Sequence, residues 1–257
     1  MFFAITACTA APAEKEKDAL RVASETSEIR GGEVDCDHHA VGILRLDEGA
    51  TCSATLVAPD RVLTAAHCTL RAPKAFYLGR GQPVKSYQSE EATSRMARYA
   101  VRDIAAYPGF TLQTERTRCP FTPVDVGLVR LDETVTDVSP DPIAFAEPPP
   151  HAKCTSVGFG ATPSKTGLYF HEKRNAIEII AAGHPTAFSF DAHTGNTEPG
   201  DSGGPLYCDG AIVGVNSCKS NPDYFARLDS AREWLEAMLR DWDPDVASTY
   251  ARDLRTW

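Results

Sequence analysis

The sequence predicts an all-β chain, a sandwich or barrel arranged as two units and closed by a helix. Three observations predict it. Short apolar runs alternate with Gly, Pro, Asp and Asn over most of the chain. A cluster of prolines divides those runs, and one helical pattern stands near the end. Many short strands between turn signals argue against a βαβ sheet.

The runs come in order. Val41-Gly42-Ile43-Leu44-Arg45-Leu46, Ala54-Thr55-Leu56-Val57 and Arg61-Val62-Leu63-Thr64 precede Val126-Gly127-Leu128-Val129-Arg130-Leu131. Ala211-Ile212-Val213-Gly214-Val215 follows in the second half. Pro140, Pro142, Pro148, Pro149 and Pro150 crowd the stretch between. Proline lacks the amide donor a sheet needs, so residues 132–150 read as a linker between two β units. The helix is expected over Ser230–Asp241. Ser230 is placed to cap it, Trp234, Leu235, Met238 and Leu239 recur at helical spacing, and Asp243-Pro244 ends it.

The 257 residues are 42% hydrophobic and 24% charged, so the chain can bury a substantial core and is not disordered throughout. No apolar run reaches 18 residues, the length a membrane-spanning helix needs. The net charge of −9 argues against a nucleic-acid binder, which should be basic. Eight cysteines without a CxxC pair point to disulfides in an exported protein rather than to zinc.

Met1-Phe2-Phe3-Ala4-Ile5-Thr6-Ala7-Cys8 is short, apolar and followed by small residues, like the end of a secretory signal. Two readings stay open. Ile5-Thr6-Ala7-Cys8 resembles a bacterial lipobox with Cys8 as the lipidated residue, or the segment is a cleavable signal that contains a cysteine. Both give export, to the medium or the cell envelope. Residues 9–28 carry Glu14-Lys15-Glu16-Lys17-Asp18 and read as a solvated spacer or pro-segment.

Three segments carry chemistry. Thr64-Ala65-Ala66-His67-Cys68 offers an imidazole, Asp125 stands at the mouth of an apolar strand, and Gly200-Asp201-Ser202-Gly203-Gly204-Pro205 sets a serine among glycines. A serine hydroxyl is a poor nucleophile until an imidazole takes its proton. A buried carboxylate holds that imidazole in one tautomer, and glycines let backbone N–H groups turn toward an oxyanion.

These motifs resemble the chymotrypsin/trypsin family of serine endopeptidases, here expected as a bacterial-type secreted member. TAAHC, DVGLVRL and GDSGGP occur in the family's order, His then Asp then Ser, over about Ile29 to Asp241. The resemblance implies two antiparallel β-barrels packed face to face with a C-terminal helix. Residues 1–28 would be signal remnant and pro-segment, and 29–257 the peptidase domain. Its first barrel would span about 29–131 and its second, with the helix, about 151–257. His67 would be general base and acid, Asp125 its orienting partner and Ser202 the nucleophile, with the N–H groups of Gly200 and Ser202 as oxyanion hole. Ser217 would stand beside Asp125, and its strand would pair with the substrate backbone.

Ile29-Arg30-Gly31-Gly32 resembles the family's activated N-terminus, usually Ile-Val-Gly-Gly. A cut after Glu28 would free the Ile29 amine to pair with Asp201. Arg30 and Glu28 depart from the usual pattern. The resemblance also implies disulfides Cys52–Cys68 and Cys154–Cys208. Cys218 replaces a family tryptophan that walls the cleft, and Cys119 lies in the loop facing it, so Cys119–Cys218 is expected and Cys36 is left as the odd thiol.

Asn196 falls at the expected pocket base, where trypsin has Asp, with Thr197 after it. By the same resemblance Lys219 would stand at the pocket mouth, and Asp223 would also face the pocket. Lys219 and Thr197 would suit an acidic side chain. Asp223 would neutralise Lys219 or attract a basic side chain, and a pocket for medium polar or apolar residues is the third possibility. Partners are protein or peptide substrates, with no nucleic acid, no membrane contact except a lipid on Cys8, and a monomeric chain. No metal and no organic cofactor is expected, and no convincing acidic loop for calcium is present. A catalytically silent binding module, or a permanently latent zymogen, is the alternative function.

Overall fold

A computed structural model describes residues 32–86, 88–115, 118–164, 167–192, 197–220 and 222–242. Cys8, Glu28, Ile29, Arg30 and Asn196 lie outside the described residues. The first half holds β1 (Glu33–Val34), β2 (Val41–Arg45), β3 (Thr51–Ala58), β4 (Arg61–Thr64), β5 (Ala75–Leu78), β6 (Ala97–Ala106) and β7 (Gly127–Leu131), with short helices α1 (Ala66–Thr69) and α2 (Leu112–Glu115). The second half holds β8 (Lys153–Gly158), β9 (Thr162–Ser164), β10 (Gly167–Tyr169), β11 (Arg174–Gly183), β12 (Ala187–Ala192), β13 (Pro205–Cys208), β14 (Ala211–Cys218) and β15 (Asp223–Arg227), then helix α3 (Arg232–Arg240).

Strands β2-β3-β4-β7-β6-β5 close into one antiparallel barrel. In the second half β11-β12-β15-β14-β13-β8 form a ring that the β11–β8 pairing closes, and β1 adds to β11. Each apolar run serves two cores, because neighbouring residues of a strand point to opposite faces. Leu44, Val62 and Val129 fill the first barrel, while their neighbours Ile43, Leu63 and Leu128 pack between the barrels. Val213 likewise fills the second barrel with Phe188, Phe190 and Phe225, and its neighbour Ile212 faces the junction.

The proline-rich stretch between the barrels is pinned rather than free. Asp141 N–H donates to Leu56 O at 2.9 Å and Ala144 N–H to Ile212 O at 2.9 Å, one tie to each barrel. Helix α3 buries Trp234, Leu235 and Met238 against the junction. Ser230 does not cap it. A 3-10 turn over Asp229–Ala231 precedes the helix, and the Ser230 hydroxyl donates to Pro185 O at 2.8 Å, binding the helix start to the second barrel instead.

Candidate active site

His67 follows β4 on the single turn of α1, whose four residues are all buried. The bridge Cys52–Cys68 ties this turn to β3. Asp125, 1% exposed, lies just before β7, held in place by buried Val124 and Val126. Its Oδ1 accepts the His67 backbone N–H at 2.9 Å, and its Oδ2 lies 2.7 Å from His67 Nδ1. The Ser217 hydroxyl donates to the same Oδ2 at 2.7 Å. Both ends of the carboxylate are thereby fixed, and the ring is left with Nε2 as its open nitrogen. Burial opposes the charged imidazole, but the charge and hydrogen bond of Asp125 outweigh it, so His67 titrates above its ordinary 6.5.

Ser202 is half-buried and lines the same cleft, of about 320 Å³, as His67, Ser217 and Cys218. Among the described residues its hydroxyl makes no hydrogen bond to His67, a contact often long in a free enzyme. Gly200 has φ of 106°, and no acceptor among the described residues takes the Gly200 or Ser202 N–H. Gly203, φ 79°, has no room for a side chain, since a β-carbon would stand 2.0 Å from Thr64 Oγ1 and 2.5 Å from Ser53 O.

Ser53 escaped sequence reasoning. It is fully buried, its N–H donates to Ser202 O at 2.8 Å, and its hydroxyl donates to Gly200 O at 2.8 Å while accepting from Phe159 N–H at 3.0 Å. One first-barrel residue thus holds the carbonyls flanking Asp201. Its only sequence signal is its place after Cys52.

Asp201 is buried among backbone donors. Its Oδ1 accepts from Gly160 N–H at 2.7 Å and its Oδ2 from Glu198 N–H at 2.9 Å. Burial pushes this carboxyl up to about 6 despite those bonds, with Glu198 and Asp223 adding repulsion.

Thr197, Ser217 and Lys219 line the cleft, but the polar groups of Thr197 and Lys219 are engaged with neighbours. Lys219 lines the cleft, but its Nζ is 2.8 Å from the Glu198 carboxylate, so its charge is already met. The Thr197 hydroxyl, expected to face substrate, donates to Asp223 Oδ2 at 2.7 Å. Asp223 also accepts from Thr197 N–H at 3.0 Å and Ser220 N–H at 3.2 Å, and sits behind the wall rather than on it.

Bridges Cys154–Cys208 and Cys119–Cys218 form as well. Cys36 is disulfide-bonded too, which corrects the expectation of an odd thiol. Cys52, His67 and Cys68 cluster closely enough to suggest a metal site, but the two sulfurs are bonded to each other and offer no thiolate.

A family model for trypsin matches residues 29–235. The chain belongs to the trypsin family. A venom plasminogen activator of Gloydius brevicauda is 26% identical over 247 residues, covering 86% of this chain and 91% of that one. Mast cell protease 2 of Meriones unguiculatus is 27% identical over 243 residues, covering 85% and 93%. These trypsin-family relatives are eukaryotic, so they lend nothing to a bacterial-type assignment. Among solved structures, an inactivated protease paralogue of the scabies mite superposes with a TM-score of 0.67 at 17% identity, covering 82% of this chain and 97% of that one. Mouse neuropsin gives 0.65 at 22%, covering 81% and 98%. At such identities the likeness is one of fold.

Proposed function

We propose that this trypsin-family chain is a serine endopeptidase that hydrolyses internal peptide bonds through an acyl-enzyme. Ser202 Oγ attacks the carbonyl carbon while His67 Nε2 takes its proton. Asp125 holds the ring and stabilises the imidazolium. The N–H groups of Gly200 and Ser202 receive the developing oxyanion. His67 then protonates the leaving amine, and water repeats the sequence to release the acid. The observation that carries this reading is the Asp125 carboxylate, which takes His67 N–H, His67 Nδ1 and Ser217 Oγ at once.

Activation by a cut before Ile29 belongs to the same reading. Asp201 is a buried carboxylate with backbone donors but no ion-pair partner among the described residues. An ammonium arriving there would supply the missing charge. Relatives from venom and mast cells are in keeping with an exported protein.

The test is cleavage of a denatured protein mixture by processed protein and by its Ser202→Ala form, with labelling by a serine-directed probe. Cleavage and labelling by the first alone are expected. Cleavage that survives Ser202→Ala, or no labelling after processing, would overturn the reading.

A further inference from the structure

We propose that Glu178 is a specificity-determining residue, whose carboxylate gives the substrate pocket a negative charge from behind its wall and favours Lys or Arg before the scissile bond. This deepens the endopeptidase reading and rests on it for the site's role.

Glu178 lies on β11, 2% exposed, and stands opposite Ala192 of β12. Asp223 of β15 stands opposite Phe190 of the same strand. Glu178 shares a face of β11 with Ile180, Asp223 shares a face of β15 with Phe225, and Ile180 and Phe225 both pack in one core, so Glu178 and Asp223 project from the two strands to one side. That side is the barrel interior, where Phe190 is buried. Asp223 in turn holds Thr197, which lines the cleft. A line of contacts therefore runs from the cleft through Thr197 to Asp223, with Glu178 beyond.

The charges along that line are uncompensated. Among the described residues Asp223 is held by three N–H and O–H donors, and Glu178 accepts only the Ser156 hydroxyl, at 2.9 Å from β8. No Lys or Arg among the described residues ion-pairs with either one, and the two cations that line the cleft are already met, Lys219 by Glu198 and Arg71 by Glu115. Two carboxylates behind one pocket wall, Glu178 buried and Asp223 half-buried, make that pocket favourable for a cation, in the low-dielectric setting where charges act at longer range.

The groups facing Glu178 are Ser156 on β8, Asp223 on β15 and Asp201 on the serine loop. Burial first, then repulsion by Asp223 and Asp201, push its carboxyl up to about 7 against the Ser156 hydrogen bond. Below that pH it is neutral, and above it the pocket gains a charge. A bound cation favours the charged form, so discrimination between a cationic and a neutral side chain should rise with pH. His67 also titrates, but every substrate depends on it equally, and its effect cancels in a ratio of substrates.

The experiment measures kcat/KM for matched peptides ending in Lys and in Leu, from about pH 5.5 to about pH 8.5, spanning the Glu178 titration. In processed wild-type enzyme the Lys-to-Leu ratio should rise roughly tenfold, the effect of one charge about 10 Å away at an effective dielectric of about 20. In Glu178→Gln, which keeps the shape and the Ser156 contact, the ratio should stay flat. A flat wild-type ratio, or an equal rise in the variant, overturns the proposal. Binding of benzamidine against neutral benzamide to processed Ser202→Ala, followed by calorimetry over the same pH range, separates the two readings. Benzamidine affinity that rises with pH in Ser202→Ala, together with processed wild-type protein that cleaves no peptide, would sink the endopeptidase reading and keep this one. No preference for benzamidine at any pH would overturn this one.

Discussion

The Gly160 N–H donates to Asp201 Oδ1 at 2.7 Å, and a β-carbon on Gly160 would stand 2.3 Å from Asp201 Oδ2. Gly158 is as close, with its β-carbon 2.1 Å from Oδ1. The two glycines form the niche that holds the carboxylate beside Ser202. Gly160→Ala should push Asp201 out, displace the Gly200 N–H and lower kcat/KM by about a hundredfold, the scale of losing an oxyanion donor. Peptide kinetics together with a melting curve check this, and a melting point near that of wild type would assign the loss to the site.

Ser202→Ala and His67→Ala should each remove nearly all turnover, and the double variant should lose little more, since the groups act as a unit. Because Asp125 holds the His67 imidazole above its ordinary value, activity should fall as pH drops through a point above 6.5. An acid limb at 6.5 or below would contradict the Asp125 contact.

If the Ile29 amine pairs with Asp201, extending the chain before Ile29 should keep activity low, as should Asp201→Asn after processing. Pairing should also pull the Asp201 carboxyl down from about 6. N-terminal sequencing of active protein decides the matter, and full activity of an uncut chain would remove the mechanism.

Glu178 carries a stability signature independent of catalysis. Its folded carboxyl titrates at about 7 against an ordinary 4.5, so the protonated form favours folding. That contribution is present below pH 4.5 and is lost as pH rises through 7. Glu178→Gln should therefore be more stable than wild type above pH 7, by up to about 3 kcal/mol, and close to it at pH 4. Urea unfolding at both pH values measures the difference.

Matched peptides ending in Glu, Leu, Gln and Arg test the Lys219–Glu198 pair. With its ammonium 2.8 Å from a carboxylate, Lys219 should confer no preference for Glu, and Lys219→Ala should leave the Glu-to-Leu ratio within about threefold. A tenfold advantage for Glu, erased by Lys219→Ala, would show that the pair opens for substrate.

The strands were legible because their apolar runs are unbroken, and they are unbroken because both faces are buried. Ile43 and Leu44 adjoin in sequence yet serve different cores. The same fact hides which residue faces which way, since no polar alternation marks it. His67, Asp125 and Ser202 were readable from short motifs whose glycines answer to contacts, as Gly203 does against Thr64. Ser53 was not, because a serine that braces backbone carbonyls leaves no pattern in its neighbourhood. The partner of Lys219 was hidden for a related reason. Its partner Glu198 lies 21 positions earlier, and nothing in one chain's order shows that two side chains share a rim. The Ser230 cap failed because Pro185, distant in sequence, offered its hydroxyl a better acceptor.

The bridge Cys119–Cys218 spans 99 positions and joins the segment before β7 to the end of β14, across the line where the barrels meet. Cys218 and Phe121 both line the cleft, and Thr186 Oγ donates to Phe121 O at 2.8 Å beside it. The cleft therefore has a riveted end. Elsewhere along its rim the contacts are non-covalent ion pairs, Lys219–Glu198 and Arg71–Glu115. At this end a covalent bar replaces them and fixes the width of the opening.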